Sequence, residues 1–479
     1  MKDTCKFPKV IDYLRKKING TQWEGHLFVV GGCCRDLIMG RPIHDVDLTV
    51  DLPLGSVKFA RWLRSKRLTI GEPLVFQKYS TARLRLKAFP DDELEIVQTR
   101  SDKYGPHNAD NPAAAFGSLS DDCTRRDLTI NSLYYDISND KILDLSGMAL
   151  DDIASHVIRT PAAPRQTFDD DPLRIVRCIR FACTLGWEIH PDTYEAIKEN
   201  PESIRIASKE RIRNEFDKVL GCPKPHMALD LLEKCGIMGV IMPELRPIFG
   251  MPDNSSNEGS VWQHTLRTVK AMSEITDDIT LRLAALLCDA GKAVSFTKRK
   301  DGSVCFPGHD RRSPSVIDAA MRRLRYEPKI INEIIFLAKN HTATKSWGDK
   351  AENMTDAMLR KLQYVCGTSE RFDQLLALIH ADNLSQTDNP GRAGQIPAIR
   401  RRATAFKAEH TEMFGYRLPI QSMHIRRALQ IPAGRQVEQC KEYLMNLAFE
   451  NPLLNRDKFR RILTEKYAKT AKIKTKGHI

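Results

Sequence analysis

An apolar, β-branched run from His26 to Val30 breaks at Gly31-Gly32, passes through Cys33-Cys34-Arg35-Asp36, and is followed by a second strand-like run bearing Asp45 and Asp47. The first run reads as a buried strand. The glycine pair ends it where only a backbone without Cβ can approach a phosphate closely. Cys34 to Gly40 reads as a short helix, stopped by Gly40 and Pro42. In a strand, residues two apart leave the same face, so the carboxylates of Asp45 and Asp47 stand side by side. Two such carboxylates in a low-dielectric cleft repel unless a divalent cation lies between them. A lone Asp-x-Asp is usually just an acidic loop. The order strand, Gly-Gly, arginine, carboxylate strand is far more restrictive.

Up to about residue 160 the chain alternates strand-like and helix-like segments. Thr81 to Phe89 and Leu94 to Thr99 are predicted strands, with Pro90-Asp91-Asp92 as the turn between them. The stretch from Arg100 to about Gly117 has no periodicity and reads as a long mobile loop. From Pro172 onward Leu173, Val176, Ile179 and Ala182 recur at helical spacing, and strand signals become scarce. Breaks near Pro161-Ala-Ala-Pro164, Pro243, Gly391–Gly394 and Leu418-Pro419 are candidate boundaries. They suggest a head over 1–165, a helical neck over 166–242, a helical body over 243–400 and a helical tail over 401–479. The expected architecture is an α/β head with a small mixed sheet, followed by an elongated all-helical neck, body and tail.

With 479 residues the chain is too long for one core. Its 42% hydrophobic and 28% charged content fits a soluble globular protein, and no apolar run approaches a membrane span. Met1-Lys2-Asp3-Thr4-Cys5-Lys6 leads into no signal-peptide core. Twelve cysteines without a Cys-x-x-Cys pair favour reduced thiols in a cytoplasm over a disulfide framework or a structural zinc site. A net charge of +13 suggests a polyanionic partner. Part of the excess lies in Lys466, Lys469, Lys472, Lys474 and Lys476, read as a solvated, frayed end rather than an RNA clamp.

Gly31-Gly32-Cys33-Cys34-Arg35-Asp36 with Asp45-Val46-Asp47 resembles the GGxxRD…DxD signature of class II nucleotidyltransferases, the tRNA CCA-adding enzymes and bacterial poly(A) polymerases related to DNA polymerase β. The resemblance implies a third catalytic acid, Glu95, with Glu93 competing for the role. It also implies two-ion chemistry in which Asp45, Asp47 and Glu95 hold Mg²⁺, the natural choice for all-oxygen ligands. Arg125-Arg126-Asp127-Leu128-Thr129-Ile130-Asn131 matches the family's RRDxxxN motif, in a charged turn before a predicted strand from Thr129 to Tyr135. It implies that Arg126 holds phosphate while Asp127 and Asn131 bind ribose, with Gly31, Gly32 and Arg35 also at the nucleotide. Asp170-Asp171-Pro172-Leu173-Arg174 resembles the EDxxR motif, with Asp170 where the family usually has Glu. Asp171 and Arg174 would then form a protein template for the incoming base, and Arg177 and Arg180 would extend Arg174 into a basic stripe.

In the body, Gln263-His264-Thr265, Cys288-Asp289, Gly308-His309-Asp310 and His380-Ala381-Asp382 look like a metal-dependent HD phosphohydrolase site. His264, Asp289 and Asp382 match that pattern, but Cys288 replaces a histidine, and a thiolate suits Mg²⁺ or Mn²⁺ poorly. A vestigial site is expected. Ala428 to Arg435 resembles the tail segment of HD-bearing CCA enzymes. Together these resemblances imply an enzyme adding all or part of CCA to tRNA from CTP and ATP. The alternatives are a poly(A) polymerase of the same class, an RNA-binding phosphohydrolase, or a relative limited to CC or A addition. The last arises because Asn108-Ala109-Asp110-Asn111-Pro112 lacks the arginine that such loops commonly carry.

Overall fold

The computed structural model describes residues 7–43, 46–101, 115–253, 259–347, 354–386, 392 and 394–474, with side chains to 465. The chain forms two compact units. One comprises residues 1–246 with 323–326, the other 247–322 with 327–479. No helix among the described residues is long and apolar enough to cross a membrane.

The first unit is built on a seven-stranded mixed sheet: β1 (Leu27–Val30), β2 (Asp47–Val50), β3 (Leu74–Phe76), β4 (Thr81–Leu86), β5 (Phe89–Gln98), β6 (Leu133–Asp136) and β7 (Lys141–Asp144), in the order β3-β4-β5-β2-β1-β6-β7. β1 is buried along its whole length between antiparallel neighbours β2 and β6, which is why it reads as an unbroken apolar run rather than an alternating one. Phe28 and Val30 pack with Cys123 and Tyr134 on one face. β2 and β5 pair in parallel, Asp47 opposite Glu95.

Two local expectations shift. The hairpin between β4 and β5 turns at Lys87 and Ala88, and Pro90, Asp91 and Asp92 lie inside β5. β2 reaches only Glu95–Gln98, so among the described strands the start of β5 pairs with β4 alone, and a strand paired on one side tolerates proline. The segment expected as one strand from Thr129 opens instead with a 3₁₀ turn, Thr129–Asn131, before β6.

Among the described residues, eleven helices accompany this sheet: α1 (Lys9–Ile18), α2 (Gly32–Ile38), α3 (Gly55–Ser65), α4 (Leu119–Thr124), α5 (Ala149–Ser155), α6 (Pro164–Asp170), α7 (Leu173–Leu185), α8 (Pro191–Glu199), α9 (Lys209–Leu220), α10 (Pro225–Lys234) and α11 (Met238–Ile241). α7 buries Leu173, Val176, Ile179 and Ala182, the spacing that marked it as helical, and ends in a left-handed Gly186. It packs against α9 and α10.

In the second unit, α12 (Val261–Ile275), α13 (Ile279–Leu287), α14 (His309–Arg323), α15 (Pro328–Asn340), α16 (Asp356–Cys366) and α17 (Ser369–Ser385) precede α18 (Gln395–Ala408), α19 (Ser422–Leu429), α20 (Arg435–Glu450) and α21 (Arg456–Lys474). α12 packs on α13 and α17. Ile425, Val437, Leu444, Phe459 and Leu463 form a hydrophobic cluster of their own in the tail.

Candidate active site

The turn after β1 sets the geometry of the head. Gly31 caps α2 with φ of 88°, a left-handed conformation that costs a side chain roughly 1–2 kcal/mol. A Cβ there would lie 3.9 Å from Arg126 Nη1 and 4.0 Å from Asp47 Oδ2. The space above Gly31 is therefore bounded by a carboxylate at the start of β2 and a guanidinium from the turn after α4. Asp45 lies outside the described residues. Asp47 is exposed, and its register partner across β2–β5 is Glu95 rather than Glu93, which pairs with Arg85. Register partners in parallel strands share a face, so Asp47 and Glu95 are neighbours on it. The Glu95 carboxylate accepts from Arg83 Nη2 at 2.8 Å, and both groups are partly exposed.

Arg35 and Asn131 meet beneath this turn. Arg35 Nη1 donates to Asn131 Oδ1 at 2.8 Å, and Arg35 also pairs with Asp36. Both residues are buried, so the structure makes them a brace between α2 and the 3₁₀ turn. Asp127 is tied in the same way. Its Oδ1 accepts from the Leu128 amide and from Asn131 Nδ2, and its Oδ2 from Arg177 Nη2 at 2.7 Å. Burial pushes the Asp127 carboxyl up, but Arg177 and the hydrogen bonds outweigh it and hold the pKa low.

The expected basic stripe on α7 is not present as an exposed row. Arg174 is buried and donates to the Thr167 carbonyl at 3.0 Å. Arg177 bridges Asp127 and Glu215, and Arg180 lies over the Phe181 ring with Nε 3.3 Å from Glu215 Oε2. A spacing of three rotates successive side chains around the helix. Each turns inward to an acceptor, Arg177 and Arg180 to the same Glu215, because a buried guanidinium left unpaired is costly.

The turn after α4, the start of α7 and α9 line an open pocket of about 370 Å³. Of the residues singled out in the sequence, Arg126, Asp127, Asp171, Arg174 and Arg177 line it, together with Arg125. They are joined by Arg211, Asn214, Glu215 and Lys218 of α9, which sequence reasoning missed. Arg211 Nη2 donates to Asp171 Oδ2 at 2.7 Å, while Asp171 Oδ1 accepts the Leu173 amide at 3.2 Å and so helps start α7. The missed residues carried a signal of helical spacing, since Arg211, Asn214, Glu215 and Lys218 recur at intervals of three and four on one face. Six cationic side chains against three carboxylates give the lining a net positive charge.

In the second unit the three residues that match the HD pattern converge, while Cys288 falls in a second group. His264, Asp289 and Asp382 bring ligand atoms within 4.8 Å of one another, and so do Cys288, Asp289 and His341, but the two triads share only Asp289. Its carboxylate has two faces. Oδ2 lies 2.9 Å from Lys292 Nζ and 3.2 Å from His264 Nε2, while Oδ1 faces Nε2 of His309 and His341 at 3.3 and 3.4 Å. Lys292 also reaches Asp253 Oδ2 at 3.1 Å. His264 Nε2 is 3.1 Å from Asp382 Oδ1, and its Nδ1 is 3.1 Å from Ser385 Oγ, whose own proton goes to the Asp382 carbonyl. His264 thus donates from both nitrogens. Burial lowers its pKa, but hydrogen bonds to Asp289 and Asp382 outweigh this and raise it to about 9. Cys288 turns its thiol to the Ala285 carbonyl, and burial drives that thiol's pKa up.

Residues 27–159 match the family described as the Poly A polymerase head domain, and residues 186–249 match the probable RNA- and SrmB-binding site of polymerase A. The tRNA nucleotidyltransferase cca1 of Schizosaccharomyces pombe is 35% identical over 234 residues, 46% of each chain. The mitochondrial CCA tRNA nucleotidyltransferase of Saccharomyces cerevisiae is 31% identical over 45% of this chain and 42% of its own. The matched part thus spans under half the length of these curated relatives. In fold, the likeness extends further. The Bacillus stearothermophilus CCA-adding enzyme in complex with CTP superposes over 98% of this chain and all of that one, with a TM-score of 0.63 at 21% identity. The Thermotoga maritima enzyme complexed with tRNA superposes over 96% of each at a TM-score of 0.59 and 17% identity. Residues 27–159 are thus similar to the poly(A) polymerase head, and the chain shares the fold of the CCA-adding enzymes.

Proposed function

We propose that this chain adds all or part of CCA to the 3′ end of tRNA, using CTP and ATP and releasing pyrophosphate. The observation that carries the reading is the pairing of Asp47 with Glu95 across β2–β5 beside the Gly31–Arg126 gap. It is supported by curated relatives named for this activity and by the fold shared with enzymes solved with CTP and tRNA. Asp45, Asp47 and Glu95 would hold Mg²⁺, which supplies charge to the attacking hydroxyl and the leaving pyrophosphate. An all-oxygen donor set at an exposed strand start fits that ion, and Glu95 would exchange Arg83 for it. The Gly31-Gly32 turn lets the triphosphate approach, and Arg126 steadies it. Asp171 and Arg174 read the base, Asp171 exchanging its Arg211 contact for the exocyclic amine. Within the first unit, 1–165 acts as head and 166–242 as neck. The stretch 243–400, most of it in the second unit, acts as body and 401–479 as tail. The described cysteines form no disulfide, which suits a reducing compartment, and the cytoplasm is proposed, with the mitochondrion named for one relative as the alternative.

The cluster around Asp289 is proposed as a vestigial HD site. Lys292 lies 2.9 Å from the Asp289 oxygen that also faces His264, so a protein cation already neutralises that side of the carboxylate, where His264, Asp289 and Asp382 would otherwise hold a metal. This argues against the phosphohydrolase reading. A poly(A) polymerase is the second reading, favoured by the description of the matching head. Incubating the protein with tRNAs ending before CCA, after C and after CC, with CTP or ATP alone, separates the two. CTP-dependent extension of the shortest tRNA and a single A on the tRNA ending in CC are expected. Long A tracts on any RNA would favour the polymerase, and no incorporation on any substrate would end both readings.

A further inference from the structure

Asp122 was not among the expected site residues, does not line the cavity, and is 1% exposed. It lies on α4, which starts at a Ser118–Asp121 capping box. Asp122 Oδ1 accepts from Arg125 Nε at 2.9 Å and Nη2 at 2.6 Å, and from the Arg100 amide at 3.2 Å. Its Oδ2 accepts from Arg126 Nε at 3.1 Å and Nη2 at 2.9 Å, and from the Tyr134 hydroxyl at 2.7 Å. One carboxylate thus grips two guanidiniums by the same Nε–Nη2 edge, one on each oxygen. That is possible because Arg125 and Arg126 sit three and four residues after it. Burial pushes the Asp122 carboxyl up, but Arg126, Arg125 and Tyr134 outweigh it, so it stays ionised.

This edge-on grip decides what the rest of each guanidinium can face. Arg126 keeps Nη1 toward Gly31, and its ring partner Tyr134 supports it from below with the guanidinium carbon 5.4 Å from the ring centroid. Both arginines line the cavity while their Nε edges are held inside the protein. Two adjacent guanidiniums repel, and without a fixed anion between them they would splay apart and lose the orientation that a phosphate needs.

We infer that Asp122 is the positioning residue that presents Arg125 and Arg126 as a preformed pair to the polyphosphate of the incoming nucleotide. The inference rests on the proposed nucleotide site. Asp122→Asn keeps the shape but offers one acceptor and sets an NH₂ donor against a guanidinium. Binding of CTP and CMP is compared by calorimetry in native protein and variant, alongside KM and kcat. Asp122→Asn is expected to weaken CTP roughly ten- to a hundredfold, the size expected for lost charge-assisted hydrogen bonds, and CMP far less. KM for CTP should rise more than kcat falls, and Asp122→Glu should recover part of the loss. Tyr134→Phe, which removes one donor to the same oxygen, should shift the CTP-to-CMP ratio in the same direction by a smaller factor, and it carries the test if Asp122→Asn does not fold. Equal weakening of CTP and CMP, or an unchanged ratio in a folded variant, would overturn the inference. If the native protein binds neither CTP nor inorganic tripolyphosphate, the nucleotide site itself fails.

Discussion

Arg211 holds Asp171 at 2.7 Å, and that single contact shapes what base recognition demands of the neck. To accept from the exocyclic amine that C and A share and U lacks, Asp171 gives up or divides this partner. Asp171→Ala should relax discrimination against UTP by about 1–3 kcal/mol, more than it slows incorporation. Competition among CTP, ATP and UTP on a tRNA without its 3′ end measures this, and an unchanged preference would move base reading elsewhere. Arg211→Ala frees the same carboxylate and should alter selectivity while leaving triphosphate contacts in place. At this scale the motifs were legible because each is a short run of rare residues in a fixed order. Their partners were not. Glu215, which collects Arg177, Arg180 and Lys218, sits on another helix, and only folding brings it to α7.

Between elements, register does what sequence spacing cannot. Nothing in Leu94-Glu95-Ile96 says which strand it joins, and the competition between Glu93 and Glu95 is resolved in position only by the parallel pairing with β2. The β4–β5 turn was misread for a related reason. Pro90 and two aspartates are turn residues by chemistry, yet they are tolerated in a strand paired on one side. In the second unit, His264 of α12 joins Asp289, beyond α13, to Asp382 of α17. Because its folded pKa, about 9, exceeds the ordinary 6.5, its charge stabilises the fold fully below about pH 6.5 and is lost as pH rises through 9. Thermal melting should therefore fall more steeply from pH 7 to 10 in the native protein than in His264→Gln. Parallel curves would show that the ring is not the cation holding these helices.

For the whole molecule, the change from alternating strands to helical periodicity near Pro172 was readable because the hydrophobic period changes from two to three or four. The division into compact units falls between Arg246 and Pro247, close to the break at Pro243. The loop containing Asn108 to Pro112 lies outside the described residues, so C-to-A switching rests on assay. With Lys292 as internal cation, the purified chain should carry no stoichiometric Mn, Ni or Zn, and chelator should leave its melting unchanged. One equivalent of bound metal, lost in Asp289→Ala, would overturn the vestigial site. Metal-dependent nucleotidyl transfer in the cleft beside Gly31, through Asp47 and its neighbours, is tested most directly by single-nucleotide incorporation by Asp47→Ala on a tRNA lacking CCA, with tRNA affinity measured on the same sample. Mg²⁺-dependent turnover is expected in the native protein, and a loss on the order of several powers of ten in the variant, with tRNA binding nearly intact. Native-level turnover by the variant would contradict that role of Asp47.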